Sequence, residues 1–288
     1  MAVERRKPEP LDVVVQDVVM ESTDTVTLVL DTDRPVEYRA GQFLTIDPRQ
    51  FPALHAQQSF LEDLKGKKEL TRAYSMSSAP HEPLAITIKI EPYFPKVSRH
   101  APLLSPSLVH ATPKGTRLHV VGFTGPYTLP LDIEERTDHV LHVVAGSGAV
   151  PNFSILKDSL NRHAKLRHTF VSSNKTWADA LFREKLEALA RAYPSRLHLV
   201  HTLTRQADIT GLGEQVRQGR VGHALLEELC SDAQTAFAYV CGPAITAWER
   251  RAALESKTTP EPRFLENTLQ FLHGLGFTND RIKREAYG

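Results

Sequence analysis

The hydrophobic positions change rhythm once along the chain. Up to about residue 131, short runs rich in β-branched and other apolar residues recur between turn signals, at 11–19, 26–30, 42–46, 72–76, 84–90 and 117–122. Runs of this length at fairly even spacing, with almost no helical periodicity between them, predict six strands of an antiparallel barrel or sandwich. The stretch 48–70 breaks the rhythm. It is polar, poor in strand formers and placed between two predicted strands, so it reads as a long loop, and loops of that length are usually functional or mobile.

Beyond the polar residues 132–138 the pattern becomes strand–helix alternation. Residues 140–145 read as a buried strand, 153–163 as a helix and 167–172 as a strand. A helix over 177–193 carries Leu181, Leu186 and Leu189 at helical spacing, a strand follows at 197–202, and 221–229 and 237–241 repeat the alternation. Continuous apolar strands alternating with helices predict a doubly wound parallel sheet. The expected architecture is an antiparallel β-barrel domain over 1–133 followed by an α/β domain over 134–288.

Composition narrows the function. A chain of 288 residues, 41% of them hydrophobic, can bury two cores. Its 35 basic and 34 acidic side chains leave a net charge of +1, and the basic residues are scattered, so no field draws nucleic acid or an anionic membrane. No apolar run approaches the roughly 20 residues needed to cross a bilayer, and the polar N-terminus has no signal-peptide centre. The two cysteines, Cys230 and Cys241, are too few for a disulfide framework, a four-cysteine zinc site or a four-thiolate iron–sulfur centre. A reducing cytoplasmic setting is expected.

Thirteen histidines raise the question of a metal. His198 and His201 are three apart on a predicted strand and face opposite sides, and His163 and His168 straddle a helix end. With no H-E-x-x-H and no Cys-x-x-Cys, no metal site is expected.

The strongest local signal is Ala145-Gly146-Ser147-Gly148-Ala149-Val150-Pro151, directly after a predicted strand. The two glycines permit a sharp turn and close backbone approach to a phosphate. Pro151 suits the first turn of a helix, where a missing N–H costs nothing. Free amides and the positive end of the helix dipole then face an anion, and a dinucleotide pyrophosphate is the best ligand. On the glycines alone, an ordinary β–α turn stands as the alternative.

Four blocks in order resemble the ferredoxin–NADP(H) reductase superfamily. They are Arg72-Ala73-Tyr74-Ser75, like the R-x-Y-S flavin motif; Gly146 to Pro151, like the G-x-G-x-x-P nicotinamide-nucleotide turn; Cys241-Gly242-Pro243 after an apolar strand; and the tail from Leu275-Gly276-Phe277 to Glu285-Ala286-Tyr287. The resemblance implies a flavin-dependent reductase that takes a hydride from NADPH or NADH and passes electrons to a separate acceptor. FAD is implied ahead of FMN. A guanidinium such as that of Arg72 offers a rigid fork to the flavin pyrophosphate, Tyr74 lies two residues along on the same face, and Ser75 is implied near flavin N5.

The same resemblance implies cofactor-binding roles for Ala73, Lys89, Ser105, Gly146, Ser147, Gly148, Pro151, Gly242 and Pro243. It places Ser75, Cys241, Glu285 and Tyr287 at the reacting rings. The chain departs from the family where Ala101 and Pro102 stand before Ser105 in place of glycines, which alters the phosphate contact there. Phe123 replaces a proline in Gly122-Phe123-Thr124-Gly125, and Thr246 stands near Cys-Gly-Pro where relatives often carry methionine. Ser173 and Lys175 at one strand end, with no acid beside them, and Thr204-Arg205 at the next lean towards a 2′-phosphate and hence NADPH.

Because no iron–sulfur domain is encoded, the implied acceptor is a ferredoxin, the oxygenase component of a multi-protein system or a small diffusible molecule. The 48–70 stretch, close in sequence to the flavin motif, is a candidate docking element. Two alternatives remain: an NAD(P)H oxidase or quinone reductase without a protein partner, and a regulatory subunit that keeps the fold without redox chemistry.

Overall fold

The structure, a computed structural model, describes residues 8–91, 93 and 100–287. The outermost residues of the two expected domains, 1–7 and 288, lie outside them. The chain separates into two compact units, Met1–Thr128 and Leu129–Gly288.

The first unit holds β1 (Glu9–Ser22), β2 (Thr25–Asp31), β3 (Phe43–Ile46), α1 (His55–Lys65), β4 (Arg72–Ser75), β5 (Ala85–Lys89), α2 (Ser105–His110) and β6 (Arg117–Thr124). Its six strands run β4-β3-β6-β1-β2-β5, and every pairing is antiparallel. A bridge between Met76 and Ile86 joins the two ends of that order and closes the sheet on itself. Alternation sets the inner face: Leu11, Val13 and Val15 of β1 and Leu118 and Val120 of β6 are buried, with exposed or half-buried residues between them. The six expected strands are thus those observed, in an antiparallel barrel sheet.

The expected loop at 48–70 is instead mostly helical. Two 3-10 turns, Pro48–Gln50 and Pro52–Leu54, lead into α1. Leu54 and Leu61 are buried, and Gln58 lies between them on the same face, also buried. That glutamine interrupts the apolar periodicity by which a helix is recognised, although Ala56, Gln57, Leu61, Glu62, Leu64 and Lys65 are good helix formers. Gly66, at φ +64, ends the helix in the left-handed conformation and donates to the Asp63 carbonyl.

The second unit holds α3 (Ile133–Arg136), β7 (His139–Ala145), α4 (Ala149–Arg162), β8 (Arg167–Asn174), α5 (Arg183–Ala192), β9 (Leu197–Leu203), β10 (Val216–Gln218), α6 (His223–Leu229), β11 (Phe237–Pro243), α7 (Ala247–Glu255), α8 (Phe264–Gly274) and β12 (Ile282–Tyr287). Its sheet runs β10-β9-β8-β7-β11-β12 and is parallel throughout. Both faces are covered, and β7 is buried along nearly its whole length, as its unbroken apolar run requires. The expected helix at 177–193 is shorter. A 3-10 turn at Trp177–Asp179 precedes α5, because Thr176 and Asp179 form a capping box and Phe182 adopts φ +57. The C-terminal block is an edge strand, β12, paired along β11.

Candidate functional site

The strand order of the parallel sheet reverses beside β7: β8, β9 and β10 follow on one side, β11 and β12 on the other. Sheets of this kind bind ligands beyond the carboxyl ends of the strands at such a reversal. The glycine-bearing segment leaves β7 at that point. Gly146–Gly148 forms one 3-10 turn, and α4 begins at Ala149 with Pro151 as its third residue.

The two glycines are needed for different reasons. Gly146 adopts φ +54, and a side chain there would meet nothing within 4 Å, so the backbone demands glycine while the space around it is open. Gly148 has an ordinary φ but no room, because a Cβ would lie 2.1 Å from the Cys241 carbonyl oxygen. Gly242 is confined in the same way, with a Phe264 ring carbon 2.6 Å and the Ala145 Cβ 3.1 Å from its added Cβ. The turn that follows β7 therefore packs backbone to backbone on the end of β11. Cys241 is fully buried, opposite Val144 on one side and Glu285 on the other. Burial, reinforced by the Glu285 charge, pushes its thiol well above the ordinary range, so it stays protonated and is no nucleophile. Tyr287 sits opposite Pro243 in the same register.

Two further strand ends meet at this edge. Thr204 N–H and Oγ1 donate to the Asn174 carbonyl at 2.9 and 3.2 Å, and Arg205 N–H donates to the Lys175 carbonyl at 2.8 Å. The pairs Ser173/Lys175 and Thr204/Arg205 are thus neighbours. Lys175, Thr204 and Arg205 are exposed and Ser173 is buried. Beside them lies a residue that the sequence raised only as a possible metal ligand. His201 is fully buried with neither ring nitrogen hydrogen-bonded, and the Trp177 ring meets it edge-on at 5.2 Å. Burial, and to a lesser extent the Arg183 charge, lower its pKa to about 4.

In the first unit, β4 pairs with β3 so that Ile46 faces Arg72 and Phe43 faces Ser75. Arg72 and Tyr74 share one face and are half-buried, Ala73 is exposed, and Ser75 is buried. The Tyr74 hydroxyl is held above its ordinary pKa by burial and by the Glu91 charge. Arg72 is already engaged. Its guanidinium lies 2.5 Å from Glu69 and donates to the Leu70 carbonyl, and the same carboxylate pairs with Lys65 of α1. Burial alone would raise the Glu69 carboxyl, but hydrogen bonds from Lys65 and Arg72 outweigh it and hold it below the usual carboxylate range. The spacing Lys65, Glu69, Arg72 is the sequence signal for this chain of charges.

Two sequence-chosen residues are held by other groups. The Lys89 ammonium pairs with Asp24 at 2.7 Å, in the turn between β1 and β2. Ser105, the first residue of α2, is buried, and its Oγ accepts from the Glu91 N–H at 3.2 Å. Among the described residues, His139, Cys230 and Asp232 also bring ligand-type atoms within 4.8 Å of one another. They are bonded among themselves, His139 Nδ1 to Asp232 at 2.8 Å and Cys230 Sγ to Asp232 at 3.3 Å, with Arg167 3.2 Å from the same carboxylate. The cluster is a paired polar network.

Comparison with known proteins places this geometry. The model of the oxidoreductase NAD-binding domain matches residues 143–247, from within β7 to the start of α7. The ferredoxin reductase component of 3-ketosteroid-9-alpha-monooxygenase from Mycolicibacterium smegmatis is 28% identical over 253 residues, 87% of this chain and 63% of that protein. NADH-cytochrome b5 reductase 2 from Coccidioides immitis is 26% identical over 205 residues, 68% of this chain and 58% of that one. The chain spans less than two thirds of the length of these relatives. In fold, it matches the cytochrome b5 reductase domain of Ulva prolifera nitrate reductase with a TM-score of 0.69 and 18% identity, covering 96% of this chain and 97% of that one. In sequence the chain is thus similar to ferredoxin reductase-like proteins, and over residues 143–247 it matches the oxidoreductase NAD-binding domain.

The superfamily's two cofactors can be tested against the residues present. For a nicotinamide dinucleotide, the open cradle at Gly146 and the start of the fourteen-residue α4 supply a turn and a helix dipole fit for a pyrophosphate. For a flavin diphosphate, Arg72 and Tyr74 supply a cation and a ring on one face of β4. Both fit the superfamily's pattern.

Proposed function

We propose that this chain is an NAD(P)H-dependent flavoprotein reductase that passes electrons to a separate acceptor protein, a ferredoxin or the oxygenase component of a multi-protein system. The observation that carries the reading is the Gly146–Gly148 turn at the strand-order reversal, seated on Cys241 so closely that no side chain fits at Gly148. When bound, the flavin supplies the redox chemistry, accepting a hydride from the reduced nicotinamide.

The chain's own part is to bind and orient. Gly146, Ser147, Gly148 and Pro151 hold the dinucleotide pyrophosphate, with Gly242 and Pro243 beside them. Ser173, Lys175, Thr204 and Arg205 take the adenosine end. Exposed Lys175 and Arg205 at adjoining strand ends, with no acid between them, suit a 2′-phosphate and favour NADPH. Arg72, Ala73, Tyr74 and Ser75 hold the flavin, FAD in preference to FMN, with Lys89 and Ser105 as lesser contacts. Ser75, Cys241, Glu285 and Tyr287 are assigned to the reacting rings. The protonated Cys241 thiol supplies soft packing there and no charge.

The acceptor docks on α1 in this reading. That helix exposes Phe60 (64%) and Leu64 (54%) one turn apart, with exposed Lys67 and Lys68 at its end, and its Lys65 is linked through Glu69 to Arg72. Among the described residues no helix is long and apolar enough to cross a membrane. Both cysteines are free, the state a reducing cytoplasm maintains. The test is anaerobic mixing of the purified, flavin-loaded protein with NADPH or NADH, followed by addition of a ferredoxin. Reduction of the flavin by the nucleotide and of the ferredoxin by the flavin is the expected sequence.

A further inference from the structure

Between α4 and the sheet lies a connected set of buried polar side chains that the reading above does not use. Asn152, His142, Ser159 and His168 are all at most 1% exposed. Asn152 Nδ2 donates to the Gly148 carbonyl at 3.3 Å, and Asn152 Oδ1 lies 2.8 Å from His142 Nδ1. His142 Nε2 lies 3.1 Å from His168 Nδ1, and His168 Nε2 lies 2.9 Å from Ser159 Oγ. The His142 ring is further held by stacking on Phe170, with centroids 5.3 Å apart.

The direction of every bond follows from the first. A carbonyl only accepts, so Asn152 must turn its amide nitrogen to Gly148 and its oxygen to His142. His142 Nδ1 therefore carries the proton, and a neutral ring leaves Nε2 as an acceptor. His168 must then donate from Nδ1, which leaves its Nε2 to accept from the Ser159 hydroxyl. Both rings are neutral: burial lowers His142 to about 4 and His168 well below its ordinary value, with neighbouring His142, Arg196, His139 and His163 disfavouring the His168 cation further. Buried polar groups at an interface that apolar side chains could fill are costly unless each is satisfied, and a satisfied chain has one arrangement.

We propose that Asn152, His142, His168 and Ser159 form a one-directional hydrogen-bond relay that positions the Gly148 carbonyl, and with it the dinucleotide turn. The proposal rests on the dinucleotide reading of that turn. The four are positioning residues and touch no cofactor. The relay fixes the approach of Gly148 to the Cys241 carbonyl, where the clearance allows no Cβ.

The test is nitrogen-15 NMR of the histidine rings in the flavin-loaded protein, with Asn152→Leu as the variant. In the wild type, His142 and His168 are expected as Nδ1–H tautomers throughout the neutral pH range. N152L releases His142 from that tautomer and shifts the Gly148 and Ala149 amide resonances. It also weakens NADPH or NADH binding about tenfold, the scale of one net hydrogen bond. An Nε2–H tautomer at His142 in the wild type overturns the relay whether or not the variant folds. An N152L protein with unchanged Gly148 resonance and wild-type affinity overturns its positioning role. If neither nucleotide binds the wild type, the dinucleotide reading fails, while the tautomers and the Gly148 resonance still decide the relay.

Discussion

Gly148 and Cys241 meet backbone to backbone, with a Cβ on the glycine falling 2.1 Å from the cysteine carbonyl oxygen. The contact joins the turn that follows β7 to β11, the neighbour of β7 in the sheet, so neither segment can yield without disturbing the other. A Gly148→Ala substitution must push the turn away from β11. The variant should keep its flavin, which the first unit is proposed to bind, and lose most of its NAD(P)H-driven flavin reduction. Stability should fall by about 1–3 kcal/mol, the usual cost of overpacking. Stopped-flow reduction and a urea unfolding curve measure the two effects separately.

Arg72 carries the proposed flavin phosphate contact while paired to buried Glu69. Arg72→Ala removes that contact and leaves the carboxylate with Lys65 alone. The FAD dissociation constant should rise by roughly 10- to 100-fold, the worth of a charge-assisted pair. Fluorescence of released flavin reads it directly. Unchanged retention would remove Arg72 from the site.

Acid should destabilise the fold in a window set by histidines. His142 and His201 have folded pKa values of about 4, against an ordinary 6.5 in the unfolded chain. The unfolded state therefore binds more protons between those values. Stability is fully present above pH 6.5 and is lost as pH falls towards 4, by up to about 3 kcal/mol for each group. Paired carboxylates such as Asp24 and Asp47, lowered below 3.8, keep their stabilising contribution across this window and lose it only at lower pH. Urea midpoints at pH 7, 6 and 5 should fall steadily, and a flat profile over that range contradicts the burial of these rings.

Nucleotide preference should lie in the exposed cations at the adjoining strand ends. Replacing Lys175 and Arg205 together by glutamate should lower kcat/KM for NADPH far more than for NADH, by at least about tenfold in the ratio. Equal losses for the two nucleotides would place the 2′-phosphate contact on other residues.

Phe60→Ser combined with Leu64→Ser should slow reduction of the acceptor protein at low acceptor concentration. Reduction of a small artificial acceptor such as ferricyanide should be spared, because neither side chain belongs to the cofactor sites. Equal partner kinetics in variant and wild type would free α1 of any docking role.

Much of this molecule could be read from its sequence, and the exceptions have physical causes. The apolar runs that became β7, β8, β9 and β11 are buried on both faces, so each strand declares itself without reference to its neighbours. The 146–151 turn was legible because glycine and proline have backbone requirements that few other residues share. By contrast, α1 escaped because Gln58 occupies a core-facing position. The tail became β12 only because β11 offered a free edge, a tertiary fact that no local pattern encodes. The engagement of Arg72 by Glu69 and the His142–His168 contact depend on residues meeting in space, and only the structure brings them together.

The central claim is that a reduced nicotinamide nucleotide delivers its hydride to a flavin held by this chain. Anaerobic titration of the purified protein with NADPH, and separately with NADH, while following the flavin absorption band at about 450 nm, tests it most directly. The expected result is a yellow protein whose band bleaches with one equivalent of nucleotide, more readily with NADPH. A protein that takes up no flavin, or a flavin band that neither nucleotide bleaches, would contradict it.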